Sequence, residues 1–539
     1  MLSNPKKTIL FFILSIAFIF RFYQLGINPP SLNWDETSIG YNAYSISQTL
    51  RDEHGRFLPI DYFAAFGDYK PPAYIYLTVP FVKFLGLNAL SVRLPSAILG
   101  FLTVILTYFL AKNLFKNEIM ALSAAFVLAL SPWHVLVSRA AFEANVATFF
   151  IILGVFLFWC GINKKPVFLI FASLSLTISL YTFNSTRLFL PFFLLALGII
   201  FRNELFKIKK WVVAAGAIGL ILLLPLIPHL FSKEGQLRFK EVNIFTDPQP
   251  VITANQRSEV DKNVWWVKII HNRRLGFALS FAKHYFDHFS ADYLFISGDI
   301  NPKFSSRDTG QLYLIELPFL LAGIYLLLKR KDKVAALILS WLLLGFVPSA
   351  TARETPHALR SLVCLPTWQI LVGLGLSSVL MSLQKKRSKA ICYLLLATGY
   401  FLSVFYFLHN YYIHYPKEFS GDWQYGYQKV VNFTKSVEAN YDEIWVTNQY
   451  GRPYIFFLFY GKYEPQFFWQ QGKVWVDEFG FYHVDALGKY KFGKFNLAKI
   501  DNKKVLLIGG PREIPKEFNR LKIINFLDSK TAFEIAETR

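Results

Sequence analysis

The 539 residues are 54% hydrophobic with a mean hydropathy of +0.34, too apolar for a soluble protein of this size, whose surface must be polar. The net charge is +21, yet much of the basic excess sits in short loops between apolar runs. That is a topological signal rather than a nucleic-acid footprint, so no nucleic-acid partner is expected. Cys160, Cys364 and Cys392 all lie in or at the edge of apolar runs, which excludes a disulfide framework and a cysteine-based metal site.

In chain order, apolar runs that read as plausible spans, their ends placed to within a few residues, fall at 8–25, 94–111, 119–137, 142–161, 166–181, 187–201, 211–231, 312–328, 334–349, 361–383 and 390–409. The expectation is an all-α polytopic membrane protein with about eleven transmembrane helices. Lys6 and Lys7 precede the first run, and no small-residue cleavage site follows it, so it reads as a retained span. The stretch 71–86 is too short to cross and contains Pro80 and Lys83. Read as a helix in the outer interface, it leaves Lys112/Lys116, Lys164/Lys165, 202–210, 329–333 and 385–389 on the side of Lys6 and Lys7. The positive-inside rule selects that reading and makes this side cytoplasmic.

The opposite face of the cell membrane then receives 33–70, 138–143, 182–187, 232–311, 351–360 and everything after 409. Residues 1–409 form the transmembrane domain. Residues 410–539, with short apolar runs at 443–447 and 505–508 between polar helical stretches, read as a small extracytoplasmic α/β domain. Gly509-Gly510 lacks the rest of any nucleotide-binding motif and reads as a turn.

The chemistry gathers on the outer loops. Asn33-Trp34-Asp35-Glu36 follows the first span, and Ile39, Ala43, Ile46 and Leu50 then form one helical stripe, expected to lie along the outer bilayer surface. Two readings stand for the acids. In one, Asn33 and Glu36 make a capping box and Asp35 favours the positive helix end. In the other, Asp35 is a general base at a lipid-facing cleft, with Glu36 beside it. Gly67-Asp68-Tyr69-Lys70-Pro71-Pro72 comes next. The prolines mark a helix start. Lys70 suits a phosphate, and Asp68 suits a substrate hydroxyl or a divalent cation. No cofactor is required by the pattern, and the metal question stays open.

Arg139, Arg187, His271, Arg273, Arg274, Arg353, His357 and Arg360 also fall on outer loops. Basic residues are rarer on that face, so the set points to an anionic ligand such as phosphate or pyrophosphate. Glu143 and Tyr181, on the same loops, are further candidate substrate contacts. His284 and His288, four apart, have the spacing of a metal-binding pair but lack an HExxH pattern, and read as an ordinary interfacial pair.

Trp34-Asp35-Glu36, the 67–72 segment and Val92-Arg93-Leu94-Pro95, in this order and on one side, resemble the GT-C membrane glycosyltransferases. The likeness is greatest to the branch of protein O-mannosyltransferases and the lipid A aminoarabinose transferase. The resemblance implies a polyprenyl-phosphate sugar donor, inverting transfer, a catalytic acid matching Asp35 and a phosphate-contacting lysine matching Lys70. Asp68 stands one residue further from the lysine than the acid of the aminoarabinose branch. The acceptor is left open among protein, lipid and glycan. A glycan ligase or polymerase using polyprenyl-pyrophosphate-linked glycans is the alternative. A transporter fits less well, because the polar clusters sit in loops rather than at the midplane.

Overall fold

The computed structural model describes residues 5–232, 235–236, 241–262, 264–383, 389–478, 480–497, 500 and 503–538; the basic positions 385–388 lie outside them. The chain divides into two compact units. One comprises Met1–Arg21, Leu99–Ser138 and Glu143–Phe407, the other Phe22–Ile98, Arg139–Phe142 and Leu408–Arg539.

The first unit is helical. Among the described residues of the chain, four helices are long and apolar enough to cross a membrane: Ala89–Phe115, Glu143–Asn163, Lys333–Ala350 and Lys389–Glu418. A fifth arises if Glu118–Leu130 and Pro132–Ser138, bent by 58°, count as one span. The bend falls at Pro132, which has no N–H to continue the ladder. Phe168–Leu180, Asn184–Ile200 and Thr367–Leu383 are apolar but shorter. Helix Pro5–Phe22 is apolar between Lys6, Lys7 and Arg21. The buried Arg21 guanidinium donates to the carbonyls of Leu128 and Ala129 at 3.2 Å, the open end of the next helix. Leu194, Leu195 and Ile199, and likewise Leu394, Leu395 and Phe401, are exposed. Apolar rows of this kind on the outside of helices suit hydrocarbon as solvent.

The second unit is mixed. Helix Trp34–Thr49 leads to the hairpin Phe63–Ala65/Asp68–Lys70 and then to helix Pro72–Leu85. Fourteen residues span roughly 21 Å at 1.5 Å each, short of the hydrocarbon thickness. The C-terminal part builds a seven-stranded sheet. Glu443–Val446 and Val505–Gly509 pair in parallel at its centre, with Ile444 opposite Leu506. Trp445, Val505, Leu507, Ile514 and Ala536 form a core on it.

One expectation is overturned. The helix after Asn33 does not present a stripe to lipid, because its polar face is buried as completely as its apolar one. Ile39 and Ala43 are fully buried, and so are Thr37, Ser38, Asn42 and Ser45. A Cβ on Gly40 would meet Phe459 at 2.5 Å and Val92 at 2.6 Å. Protein therefore covers the stripe at Ile39, Ala43 and Ile46, while Leu50 at its end is exposed, and side chain-to-backbone bonds satisfy the polar residues. Examples are Thr37 Oγ1 to the Asn33 carbonyl at 2.7 Å and Ser45 Oγ to the Arg51 carbonyl at 2.7 Å.

Candidate active site

Asn33 caps the helix: its side chain accepts from the N–H groups of Asp35 and Glu36, and Glu36 reaches back to the Asn33 N–H, a complete capping box. Successive helical residues point about 100° apart, and the two acids go opposite ways. Glu36 is fully buried, with Arg93 Nε on Oε1 at 2.9 Å and Arg93 Nη2 on Oε2 at 3.1 Å. The Ala141 N–H adds a bond to Oε1 at 2.9 Å. Arg93 also donates to the carbonyls of Leu25, Pro29 and Ser31 at 3.2, 2.8 and 2.6 Å. All five of its N–H donors thus meet oxygen, and the pair locks the chain between the first span and the Asp35 helix.

Asp35 is only partly buried. Its side chain is 42% exposed, with Oδ1 2.7 Å from Lys70 Nζ. The Trp34 indole donates to Oδ2 at 3.1 Å. Lys70 is 3% exposed and also lies 3.8 Å from Asp68. Its ammonium thus lies near both carboxylates. Among the described residues, no group of three or more His, Cys, Asp or Glu is placed to hold a metal.

Lys70 and Asp68 owe their place to the hairpin, whose register sets Lys70 opposite Phe63 and Asp68 opposite Ala65. The connecting residues Phe66 and Gly67 both have positive φ, 60° and 91°, as a two-residue hairpin turn requires. A Cβ on Gly67 would lie 1.9 Å from Phe481. Arg452 donates to the Phe66 carbonyl at 3.2 Å, and the Tyr69 hydroxyl donates to the Gly480 carbonyl at 3.0 Å. Gln424 Oε1 accepts from the Trp34 N–H at 2.8 Å. The C-terminal residues therefore build part of this site's support. Sequence reasoning missed Gln424, Arg452 and Phe481, since nothing local links them to residues nearly 400 positions away. Arg93 had a signal, an arginine at the mouth of a span within a family-like motif.

Arg139, expected at substrate, is a buried brace. Its Nε donates to the Tyr411 hydroxyl at 3.1 Å and Nη2 to the Asn28 carbonyl at 2.9 Å. The unit that holds Asp35, Glu36, Asp68, Lys70 and Arg139 does not hold Glu143, Tyr181, Arg187, Arg274, His357 or Arg360.

In the other unit, Glu143 opens helix Glu143–Asn163. The Tyr181 hydroxyl donates to the Leu222 carbonyl at 2.6 Å and Arg187 Nε to the Leu180 carbonyl at 3.1 Å. Arg274 is exposed near the start of helix Arg273–Asp287. His357 and Arg360 come together around Asp299, which the sequence reading did not single out. Asp299 accepts from the Ala358 N–H at 2.6 Å and lies 3.8 Å from His357 Nδ1. Burial pushes its carboxyl up to about 6, against the pull of the Ala358 and Asn301 N–H groups and of Arg307 and Arg360. His288 is pushed down to about 4 by burial, so it is neutral. One ring nitrogen bonds the His284 carbonyl at 2.8 Å; the other takes the His357 N–H at 3.1 Å and the Ser349 hydroxyl at 2.6 Å. His284 Nδ1 bonds the Ala352 carbonyl at 2.8 Å. These hydrogen bonds stitch the 351–360 loop to helix Arg273–Asp287 and its neighbours.

Residues 11–233 match the family model of dolichyl-phosphate-mannose-protein mannosyltransferase. An uncharacterized protein of Aquifex aeolicus is 30% identical over 221 residues, 40% of this chain and 42% of that protein, so the match spans about two fifths of the relative's length. ArnT from Cupriavidus metallidurans in the apo state superposes with a TM-score of 0.59 at 10% identity, over 99% of this chain and 98% of that one. The same protein bound to undecaprenyl phosphate gives 0.57 at 11% identity, over 98% and 97%. Archaeal oligosaccharyltransferase AglB from Archaeoglobus fulgidus, in complex with an inhibitory peptide and a dolichol-phosphate, gives 0.50 at 12% identity over 86% and 64%. The fold over nearly the whole chain is therefore shared with ArnT, and residues 11–233 resemble the mannosyltransferase family model.

Proposed function

We propose that this chain is an inverting glycosyltransferase that moves a sugar from a polyprenyl-phosphate donor to an acceptor hydroxyl at the outer face of the membrane. The observation that carries this is the Asp35–Lys70 pair. A buried ammonium is held 2.7 Å from a carboxylate that is 42% exposed. A donor phosphate would compete for Lys70 and release Asp35 Oδ1. Asp35 then takes the acceptor proton while the acceptor oxygen bonds the anomeric carbon. The bond from that carbon to the phosphate oxygen breaks, and polyprenyl phosphate leaves with the electron pair. Lys70 meets the charge growing on the leaving group. Asp68 orients substrate, and Glu36 positions the helix through Arg93. The undecaprenyl phosphate of the ArnT structure and the dolichol-phosphate of the AglB structure support a lipid-phosphate donor.

The expectation that His357 and Arg360, with Arg187 or Arg274, contact the donor phosphate rests on their charge alone. The test is incubation of purified protein with polyprenyl-monophosphate and polyprenyl-pyrophosphate sugars in turn. Release of free polyprenyl phosphate from the monophosphate supports the transferase. Turnover of the pyrophosphate-linked glycan alone would move the assignment to a ligase.

A further inference from the structure

Between Asp261 and Asp287 the sequence has no acid and five Lys or Arg, interleaved with tryptophan and aliphatic residues. Helix Arg273–Asp287 fills the second half of that stretch. Asn272 caps it, its side chain accepting from the Leu275 N–H at 3.0 Å. The two faces of the helix differ. Successive residues turn by about 100°, so Leu275, Leu279 and Phe286 fall within roughly 40° of one another, with Phe277 and His284 on the opposite side. All three residues of the first group are exposed, Leu279 by 62% and Phe286 by 67%. Lys283 and Arg274, also exposed, stand on the two sides of this stripe.

The opposite face is tied to the rest of its unit. Phe277 meets Phe245 edge-on, with ring centres 5.9 Å apart. The Tyr285 hydroxyl donates to the Leu343 carbonyl at 2.9 Å, and the Thr355 hydroxyl donates to Asp287 Oδ2 at 2.9 Å. Together with the bonds from His284 to Ala352 and from His357 to His288, these hold the 351–360 loop to the helix. The exposed stripe takes no part in that grip. The turn just before the helix adds to the apolar surface: Trp265 is 76% exposed, and Trp266, Ile269 and Ile270 are exposed as well. Facing water, these side chains would make an apolar patch of the kind that soluble surfaces avoid. Indoles and aliphatic groups bordered by cations, with no acid among them, suit the boundary between lipid headgroups and acyl chains. There the apolar face enters hydrocarbon while Lys and Arg reach back to headgroup phosphate.

We propose that helix Arg273–Asp287 and the Trp265–Trp266 turn lie in the headgroup–acyl boundary of the bilayer, with lipid covering the exposed stripe, and that the helix thereby holds the 351–360 loop at headgroup level. Fifteen helical residues span only roughly 22 Å, too little to cross the hydrocarbon, and the stripe runs along the helix, as it must in a helix lying in the surface. The inference does not rest on Asp35 or Lys70, which belong to the other unit.

The test uses the full chain in a background free of Cys160, Cys364 and Cys392, with Trp265→Cys, Leu279→Cys, Glu354→Cys or Lys473→Cys carrying an environment-sensitive fluorophore. All four positions are exposed. Each protein is checked for cooperative melting and reconstituted into vesicles of phosphatidylglycerol and phosphatidylethanolamine. Nitroxides on the acyl chains should quench the labels at 265 and 279 several-fold more than the label at 473, and aqueous iodide should show the reverse order. A headgroup nitroxide should quench the label at 354 several-fold more than that at 473. Iodide quenching at 265 and 279 as strong as at 473 would show that the stripe faces water and overturns the proposal. Labels there shielded from both quenchers overturn it too, because protein, such as a second copy of the chain, would then cover the stripe. A label at 354 that the headgroup nitroxide reaches no better than 473 overturns the placement of the loop. Position 265, outside the helix, keeps the test decisive where Leu279→Cys does not fold.

Discussion

Asp35 and Glu36 adjoin in sequence and differ in almost everything else. One carboxylate is enclosed by an arginine and two backbone N–H groups, the other reaches solvent and meets Lys70. Removing Arg93 would leave Glu36 buried and uncompensated. Arg93→Ala is expected to destabilise the protein by roughly 3–5 kcal/mol, measured as the loss in thermal or denaturant stability in detergent. An unchanged melting curve would mean that the pair does not anchor the Asp35 helix. Asp299 gives a prediction of opposite pH sense from most carboxylates. Its pKa is raised from 3.8 to about 6 in the fold, so the folded chain binds the extra proton. Stability relative to Asp299→Asn should fall by about 3 kcal/mol as pH rises from about 4 to about 6. A difference that is flat over that window contradicts the buried placement.

At the scale of elements, the legible parts were those with a local cause. The capping box at Asn33 and Glu36 could be read directly, as could the helix start at Pro71-Pro72 and the strands at 443–447 and 505–508. In each, the residues that decide are neighbours in the chain. The burial of the Trp34–Thr49 helix was not legible. Its apolar stripe looks the same whether lipid or helix Pro453–Gly461 covers it, and only the buried Thr37, Ser38 and Asn42 decide between them. Asp68-Tyr69-Lys70 was visible as a motif but not as one strand of a hairpin, because its turn depends on Phe481 and Arg452 far along the chain. Gly67→Ala tests that dependence. Its Cβ would meet the Phe481 ring at 1.9 Å, on a backbone with φ of 91°. Strain of this kind costs of order 1–3 kcal/mol, so donor affinity should fall at least several-fold as Lys70 shifts. Wild-type affinity would show that the hairpin does not hold Lys70 in place.

For the whole molecule, the alternation of basic and acidic loops remains the main evidence for sidedness. The expected arrangement has Lys6, Lys116, Lys164 and Lys331 in the cytoplasm and the residues after 409 outside. Single cysteines at exposed positions in a background free of Cys160, Cys364 and Cys392 test it with an impermeant thiol reagent on intact cells. Positions 429 and 473 should label and position 331 should not; the reverse would overturn both the orientation and the placement of Pro72–Leu85 in the interface. Among the described residues, four to five helices are long and apolar enough to span. The sequence count of about eleven included shorter apolar runs, and an apolar run does not reveal whether a proline or a turn divides it. The full-length superposition on ArnT supplies the fold that no local pattern could.

The most direct test of the account is Asp35→Asn with a purified polyprenyl-phosphate sugar, following both donor binding and release of polyprenyl phosphate. The amide keeps the size of the carboxylate and the capped helix but cannot serve as a base. Turnover should fall about 10²–10⁴-fold, with donor affinity and melting behaviour close to wild type. An Asp35→Asn protein that releases polyprenyl phosphate at the wild-type rate would contradict the assignment of Asp35 as the catalytic base.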